Sequence, residues 1–256
     1  MLCFNIMNSR QRHLLDKLSK AGRLETAEEA VLLKVSPMTL WRDFKMFEEQ
    51  GLALRTHGGV IPAANRQIGF PDIAKSSEFQ KKIAKIAISL VHQNSTIMLS
   101  VGTSTIEVAR QLVSSGKTNV TIVTNSLPIA AIFYQTDFNV ILLGGSLRRN
   151  SMDLTGPLSE KNLDELHIDM LFTGCDGAIS EEGFFTSDLS LAELERKSVK
   201  RTKTVVVVTE SGKFGRKALA KFASVGDVQV VITDKNISRA DKTNLEKKKI
   251  SVLSAS

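Results

Sequence analysis

Val35-Ser36-Pro37-Met38-Thr39-Leu40-Trp41-Arg42-Asp43-Phe44 decides how the first part of this chain is read. A serine followed by a proline is a helix start. The hydroxyl caps free N–H groups, and proline loses nothing at a first helical position, where its missing N–H has no partner anyway. From there Leu40, Phe44 and Phe47 recur on one face, and the helix ends near Gln50, with Gly51 suited to the position after it. Met38, Arg42, Lys45 and Glu49 fall on the opposite face, with Trp41 and Thr39 on its flanks. Just upstream, Thr26 and Glu29 have the spacing of a capping box and open a helix that runs to about Lys34, burying Ala30 and Leu33. An earlier helix runs roughly from Ser9 to Lys20, with Leu14, Leu15 and Leu18 inward, and stops at Gly22. The tight turn at Val35-Ser36 makes a helix-turn-helix of the second and third helices.

The charges on the third helix suit a DNA groove. Arg42 and Lys45 lie in its first half, Glu48 and Glu49 at its far end, and a recognition helix enters the major groove with its N-terminal half. Arg42 can pair bidentately with guanine, Thr39 can reach a base or phosphate, and Met38 can touch a thymine methyl. Ser36 stands at the same end, and Trp41 is placed as well for a core as for a DNA face. Leu52–Thr56, then His57-Gly58-Gly59, then Val60-Ile61 reads as a small hairpin, a wing that would lay Arg55 and His57 near phosphate. The alternative is a plain three-helix bundle with a solvated charged face.

Composition bounds the rest. A chain of 256 residues with 42% apolar and 24% charged residues has room for one large domain or two smaller ones and can bury a core. A formal net charge of +7 suits an acidic partner, nucleic acid or a phosphorylated ligand. Two cysteines, Cys3 and Cys175, exclude a disulfide-stapled scaffold. No apolar run approaches the ~20 residues of a membrane helix, and residues 1–6 lack the basic start and long apolar stretch of a signal peptide. The expectation is a cytoplasmic protein with no membrane partner, and Met7 offers a second possible start. The expected division is a winged domain over 1–61, a linker over 62–77 and a second domain over 78–256. The irregular stretch Ile61–Pro71, with two of the five prolines, marks the break.

Beyond the linker, short β-branched runs alternate with helical segments such as Ser77–His92. The runs are Thr96–Leu99, Val120–Val123, Val140–Leu143, Met170–Phe172, Thr204–Val208, Val228–Ile232 and Ser251–Leu253. Runs that are nearly all apolar are strands buried on both faces, so the fold class is α/β, a Rossmann-like, mostly parallel sheet flanked by helices. Open sheets of this kind bind ligands at the carboxyl ends of their strands. At that edge fall Gly102-Thr103-Ser104-Thr105, Thr124-Asn125-Ser126, Gly144-Gly145-Ser146, Gly174-Cys175-Asp176-Gly177 and Glu210-Ser211-Gly212-Lys213. The glycine and hydroxyls at 102–105, with free helix N–H groups, make an anion pocket. Lys213 can pair with phosphate and Asp176 can accept from sugar hydroxyls. Each loop alone also fits ordinary turn chemistry.

These residues resemble the DeoR-type bacterial transcription regulators. Val35–Phe44 matches that family's VS-x-MT-x-RRDL, and Glu48–Leu52 with Arg55–Val60 matches its EExGL and R-x-HGG wing. In the second half, Gly102–Thr105, Val123–Leu127, Leu143–Arg148, Gly174–Gly177 and Ser211–Gly215 resemble the GTTT, VTNSL, LGG-x-LR, GADG and SSKFG stretches of its sensor domain. The resemblance implies a fold related to ribose-5-phosphate isomerase and CoA-transferase. It implies operator DNA and a phosphorylated sugar or related metabolite as partners, repression as the default, and a dimer or tetramer on repeated half-sites. It also implies Thr103, Ser104, Thr105, Asn125, Gly144, Asp176, Gly177 and Lys213 as effector contacts, beside Gly102. Four positions depart from the family pattern. Trp41 stands for the first of two arginines, Ser100 for an aspartate, Glu210 for an aspartate, and Gly212 for a serine.

Two other readings compete with a ligand-gated regulator. One is a sugar-phosphate isomerase carrying a DNA-binding domain, with Asp176 and Lys213 as acid–base groups. The other is an architectural DNA-binding protein without an effector. No cofactor and no metal site are expected, because the four histidines and two cysteines show no ligand spacing. Cys175 reads as a structural thiol, and the basic run Arg196–Lys203 as a solvated helix end.

Overall fold

The computed structural model describes residues 7–49, 52–62 and 76–255, so most of the expected linker, together with Cys3, Gln50 and Gly51, lies outside the described residues. The chain divides into two units, residues 1–72 and 73–256. In the first, helices α1 (Ser9–Ala21), α2 (Thr26–Leu32) and α3 (Pro37–Glu49) are joined by strands β1 (Leu24–Glu25), β2 (Ala53–Arg55) and β3 (Gly59–Pro62). A reciprocal cap opens α1. The Gln11 N–H donates to Asn8 Oδ1 at 2.9 Å, and the Asn8 N–H to Gln11 Oε1 at 3.0 Å.

The capping box expected at Thr26 and Glu29 does not form. Leu24 and Glu25 pair with Val60 and Gly59 of the wing, so the chain stays extended through Glu25, which becomes the N-cap. Thr26 is then already helical, and its buried hydroxyl has no partner among the described residues. Glu29 instead accepts from Lys17 Nζ at 2.7 Å, tying α1 to α2. Ser36 caps α3 as expected, accepting the Thr39 N–H at 3.2 Å. Asp43, nearly fully buried, accepts from Arg10 Nε at 2.8 Å and Gln11 Nε2 at 2.7 Å and fastens α1 to α3. Leu14, Leu18, Leu40, Phe44, Phe47 and Val60 form the core, each contributing roughly 1.5–3 kcal/mol by leaving water.

The second unit is built on a seven-stranded sheet. Its strands are β4 (Thr96–Leu99), β5 (Thr121–Thr124), β6 (Asn139–Leu142), β9 (Ile168–Thr173), β12 (Thr202–Val208), β14 (Val230–Asp234) and β15 (Ser251–Ala255). They lie in the order β15-β14-β12-β9-β4-β5-β6, every neighbouring pair parallel. Alternate residues feed the two faces, as the two-residue period of a strand requires. Ile97, Leu99, Val206 and Val208 join one core with residues of helices α4 (Glu78–Leu90), α5 (Thr103–Ser114) and α6 (Leu127–Phe133). Met98, Val205 and Val207 join the other with residues of α8 (Leu189–Arg201) and α9 (Arg239–Lys247). Each expected strand is present, Thr96–Leu99 with the expected bounds and the others with bounds shifted by one or two residues.

Two antiparallel additions were not expected. Strands β7 (Ser146–Arg148) and β8 (Asp153–Thr155) form a hairpin, followed by the short helix α7 (Pro157–Asn162). Strands β10 (Gly177–Ile179), β11 (Gly183–Thr186) and β13 (Ala220–Ser224) form a small second sheet. At the end of α8 the basic run is ion-paired rather than merely solvated. Lys197 and Arg201 meet Asp164 at 2.8 and 2.6 Å.

Candidate functional site

On α3, Met38 is 64% exposed, and Arg42 and Lys45 are exposed on the side away from Phe44 and Phe47. Arg42 makes no ion pair among the described residues, so its guanidinium donors are uncommitted. Lys45 faces Glu49 at 3.7 Å, an exposed pair of the kind worth only ~0.3–0.5 kcal/mol and readily exchanged. Ser36 and Thr39 bond to each other through their hydroxyls at 2.9 Å. Trp41 is half-buried. Its ring stands edge-on to Phe44, centroids 6.3 Å apart, while the Arg55 guanidinium lies 5.8 Å above the ring centroid. Arg55 also pairs with Glu48 at 2.7 Å, so its charge is shared within the unit. His57 is exposed in the turn between β2 and β3. The structure thus leaves Met38, Arg42 and Lys45, all expected at DNA, exposed on α3, with Trp41 as a shelf between core and wing.

In the second unit a cavity of about 590 Å³ is lined by segments following the carboxyl ends of β4, β9 and β12. From β4 the chain builds toward β5 and β6 on one side and toward β9 and β12 on the other. Such a reversal leaves a crevice in an open parallel sheet, because the connections leave in opposite directions. Gly102, Thr103, Ser104, Asp176 and Lys213, five of the residues expected at the effector, line this cavity. Gly102 adopts φ 147°, a conformation that side chains rarely tolerate, and starts α5 without a side-chain cap. The first-turn N–H groups of α5 therefore remain available as anion donors. Lys213 closes a short turn pinned by Asp234, whose carboxylate accepts from the Ser211 N–H at 2.7 Å and hydroxyl at 2.8 Å. Burial pulls the Asp234 pKa up, but these bonds and that from the Asn236 N–H outweigh it and lower it. Asp176 accepts from the Ser187 N–H at 2.8 Å.

Four expected contacts do not line the cavity. Thr105 is fully buried and turns its hydroxyl back on the Gly102 carbonyl at 2.8 Å. Asn125 donates to the Leu154 carbonyl at 3.2 Å and secures the β7–β8 hairpin. Gly144 accepts from Ser159 Oγ and donates its N–H to Asn162 Oδ1 at 3.2 Å. Gly177 is a packing glycine, because a Cβ there would sit 2.5 Å from the Arg216 carbonyl oxygen. These positions shape the loops behind the cavity wall.

The cavity also contains residues that sequence reasoning did not place there. Arg148, on β7, grips the buried Asp153 with two nitrogens at 2.8 and 2.5 Å and reaches Asp188 at 2.9 Å. Asp188 caps α8, and the Leu191 N–H first, then Arg148, hold its carboxyl below the usual range. Glu195, on α8, is 4% exposed, and burial pushes its pKa up to about 8 against the opposing hydrogen bonds from Thr173 and Ser100. Cys175 donates to Thr209 Oγ1 at 3.3 Å, and burial pushes the thiol up to about 12, which leaves almost no nucleophilic thiolate at neutral pH. Arg148 was visible in the stretch Leu143–Arg148. Glu195 carried a subtler signal, a charge on the same helical stripe as Leu191, Leu194 and Ser198. Among the described residues no group of three His, Cys, Asp or Glu is placed to hold a metal ion, and no helix is long and apolar enough to cross a membrane.

Comparison with known proteins agrees with this division. Residues 10–65 match the DeoR-like helix-turn-helix domain, and residues 75–235 match the DeoR C terminal sensor domain. The glycerol-3-phosphate regulon repressor of Escherichia coli strain K12 is 29% identical over 233 residues, 89% of this chain and 92% of that protein. The HTH-type transcriptional regulator GlpR of Haloferax volcanii is 28% identical over 248 residues, 95% of this chain and 96% of that protein. Among solved structures, ribose 5 phosphate isomerase A from Neisseria gonorrhoeae aligns with 53% of this chain and 52% of its own, at a TM-score of 0.40 and 17% identity. The helix-turn-helix unit and the sheet unit are thus matched, each by its own domain model, in one group of transcription regulators: the chain belongs to the DeoR family.

Proposed function

We propose that the protein represses a carbohydrate operon by binding its operator through α3 and the wing, and that a phosphorylated sugar or polyol in the sheet-domain cavity changes its affinity for DNA. The cavity carries this reading. One lysine, an uncapped helix start and several carboxylates converge on a space large enough for a small polyol phosphate. On the DNA side, the uncommitted Arg42, with Met38 and Lys45, offers base and phosphate contacts. A ligand acts only by binding the DNA-competent and DNA-incompetent arrangements unequally. The working form in this reading is a dimer or tetramer in the cytoplasm, and no turnover is involved.

Thermal melting against a panel of phosphorylated sugars and polyols, with their unphosphorylated counterparts, tests the sensor. Glycerol 3-phosphate belongs in the panel because a relative is named for that regulon. A ligand at ~100 times its Kd stabilises the native state by about 2.7 kcal/mol. The expected result is a shift with a phosphorylated compound alone, lost in Lys213→Ala while ligand-free DNA binding persists. A normal response in Lys213→Ala removes that residue from the site. Turnover of ribose 5-phosphate that Asp176→Ala abolishes would make the protein an isomerase instead.

A further inference from the structure

Glu195 lines the cavity and carries one carboxyl oxygen that the fold leaves unused. Its Oε1 accepts from Thr173 Oγ1 at 3.0 Å and from Ser100 Oγ at 3.3 Å. Its Oε2 is buried and has no hydrogen-bond partner among the described residues. A buried polar oxygen in that condition is rare in folded proteins, because nothing replaces the water it gave up. The residue nevertheless lines the cavity. We propose that Glu195 is the specificity residue of the effector site and that its Oε2 makes a hydrogen bond to a hydroxyl or carbonyl oxygen of the sugar chain. This rests on the reading of the cavity as the effector site.

The direction of the bond follows from the partners. Two hydroxyls already donate to Oε1, so the acid's proton belongs on Oε2, which makes Oε2–H the donor left for a ligand. Burial keeps that proton in place up to a pH of about 8. The charged groups around the same cavity are Asp176, Asp188 and Glu210 against Arg148 and Lys213. The Asp176 carboxylate pushes the Glu195 pKa up and Arg148 pulls it down. A phosphate dianion brought into the cavity adds negative charge and favours the protonated acid further. Effector binding is therefore coupled to one proton. A ligand without an oxygen at this position leaves the donor unpaired, and sites built to hydrogen-bond a substrate group discriminate strongly against analogues lacking it.

Calorimetric titration of the full chain with glycerol 3-phosphate, fructose 1-phosphate, fructose 6-phosphate and ribose 5-phosphate tests this at pH 7 and pH 9. Wild type, Glu195→Gln and Glu195→Met are compared. Gln keeps the acceptor for Ser100 and Thr173 and a donor in place of Oε2–H, but never ionises. Met fills the space with neither. For the tightest probe, wild type is expected to lose about ten-fold in affinity between the two pH values, the fraction of Glu195 still protonated falling by that factor. Glu195→Gln is expected to stay within about three-fold of wild type at pH 7 and to show no such slope. Glu195→Met is expected to bind at least about ten-fold more weakly at pH 7. A Met variant that binds like wild type, or a Gln variant that keeps the wild-type slope, overturns the role of Glu195 and leaves the effector site standing. Failure of every probe to bind wild type overturns both.

Discussion

Replacing Glu195 by glutamine should stabilise the unliganded protein, and by an amount that depends on pH. In the folded chain the acid is buried and holds its proton up to about 8, against an ordinary value of 4.5. Between those values the folded state binds more protons than the unfolded one, so stability falls as pH rises. Each pH unit in that window costs about 1.4 kcal/mol, which makes the cost at pH 7 about 3 kcal/mol. Above a pH of about 8 the cost levels off near 5 kcal/mol, and below the ordinary value it vanishes. Glutamine matches the protonated acid in shape and in its bonds to Ser100 and Thr173, so the difference between the two proteins is the cost of keeping the proton. The assay is urea unfolding at pH 5, 7 and 9. Trp41 is the only tryptophan and lies in the first unit, so unfolding of the sheet unit is followed by far-UV circular dichroism. The expected gain for Glu195→Gln is under about 1 kcal/mol at pH 5 and about 3 kcal/mol at pH 7. A gain that does not change with pH, or a wild type as stable as the variant at pH 7, would refute the protonated buried acid.

Two further substitutions separate site from scaffold. Arg42→Ala should weaken binding to a duplex selected from random sequence by roughly 1–3 kcal/mol and relax the preference at one base pair; unchanged affinity and selectivity in fluorescence anisotropy would remove Arg42 from the base contacts. Gly177→Ala should destabilise the sheet unit by about 1–3 kcal/mol, because the new Cβ meets the Arg216 carbonyl oxygen at 2.5 Å; a variant with wild-type stability but impaired effector binding would return Gly177 to the site.

The parts of the fold that were legible in the sequence are those set by local pattern. Ser36-Pro37 and the apolar stripe through Phe47 fixed α3, and the β-branched runs fixed the parallel strands, because burial on both faces leaves an unbroken apolar run. The failures came from long-range partners. The strand Leu24–Glu25 exists only because the wing pairs with it, and it displaced a cap that was locally plausible at Thr26. The pairing of Arg148 with Asp153 and Asp188 depends on a hairpin whose strands are three residues each, too short for a periodic signal. At the sheet edge, turn chemistry and ligand chemistry use the same residues. Gly144 and Gly177 therefore looked like Gly102 in sequence, although only Gly102 of the three lines the cavity.

The charges around the cavity show why a neutral Glu195 matters to the proposed site. Asp176, Asp188, Glu195 and Glu210 face Arg148 and Lys213. Arg148 is engaged by both Asp153 and Asp188, so it has little left for an incoming anion. Lys213 makes no ion pair among the described residues, and its turn is held by Asp234 through backbone and hydroxyl bonds that leave the ammonium out. An effector phosphate in this reading is therefore held mainly by Lys213 and by the uncapped amides of α5. With so few open donors, and with Asp176, Asp188 and Glu210 already outnumbering Arg148 and Lys213, one more carboxylate charge would repel the anion further. Ser100 bears on the same balance. Where the family pattern has an aspartate, this chain places a hydroxyl that donates to Glu195, adding a hydrogen bond and no charge. Selection for an anionic ligand and retention of the Glu195 proton then become a single electrostatic condition. Losing either should weaken the other, which is the reciprocity that linkage demands of a proton and a ligand sharing one site.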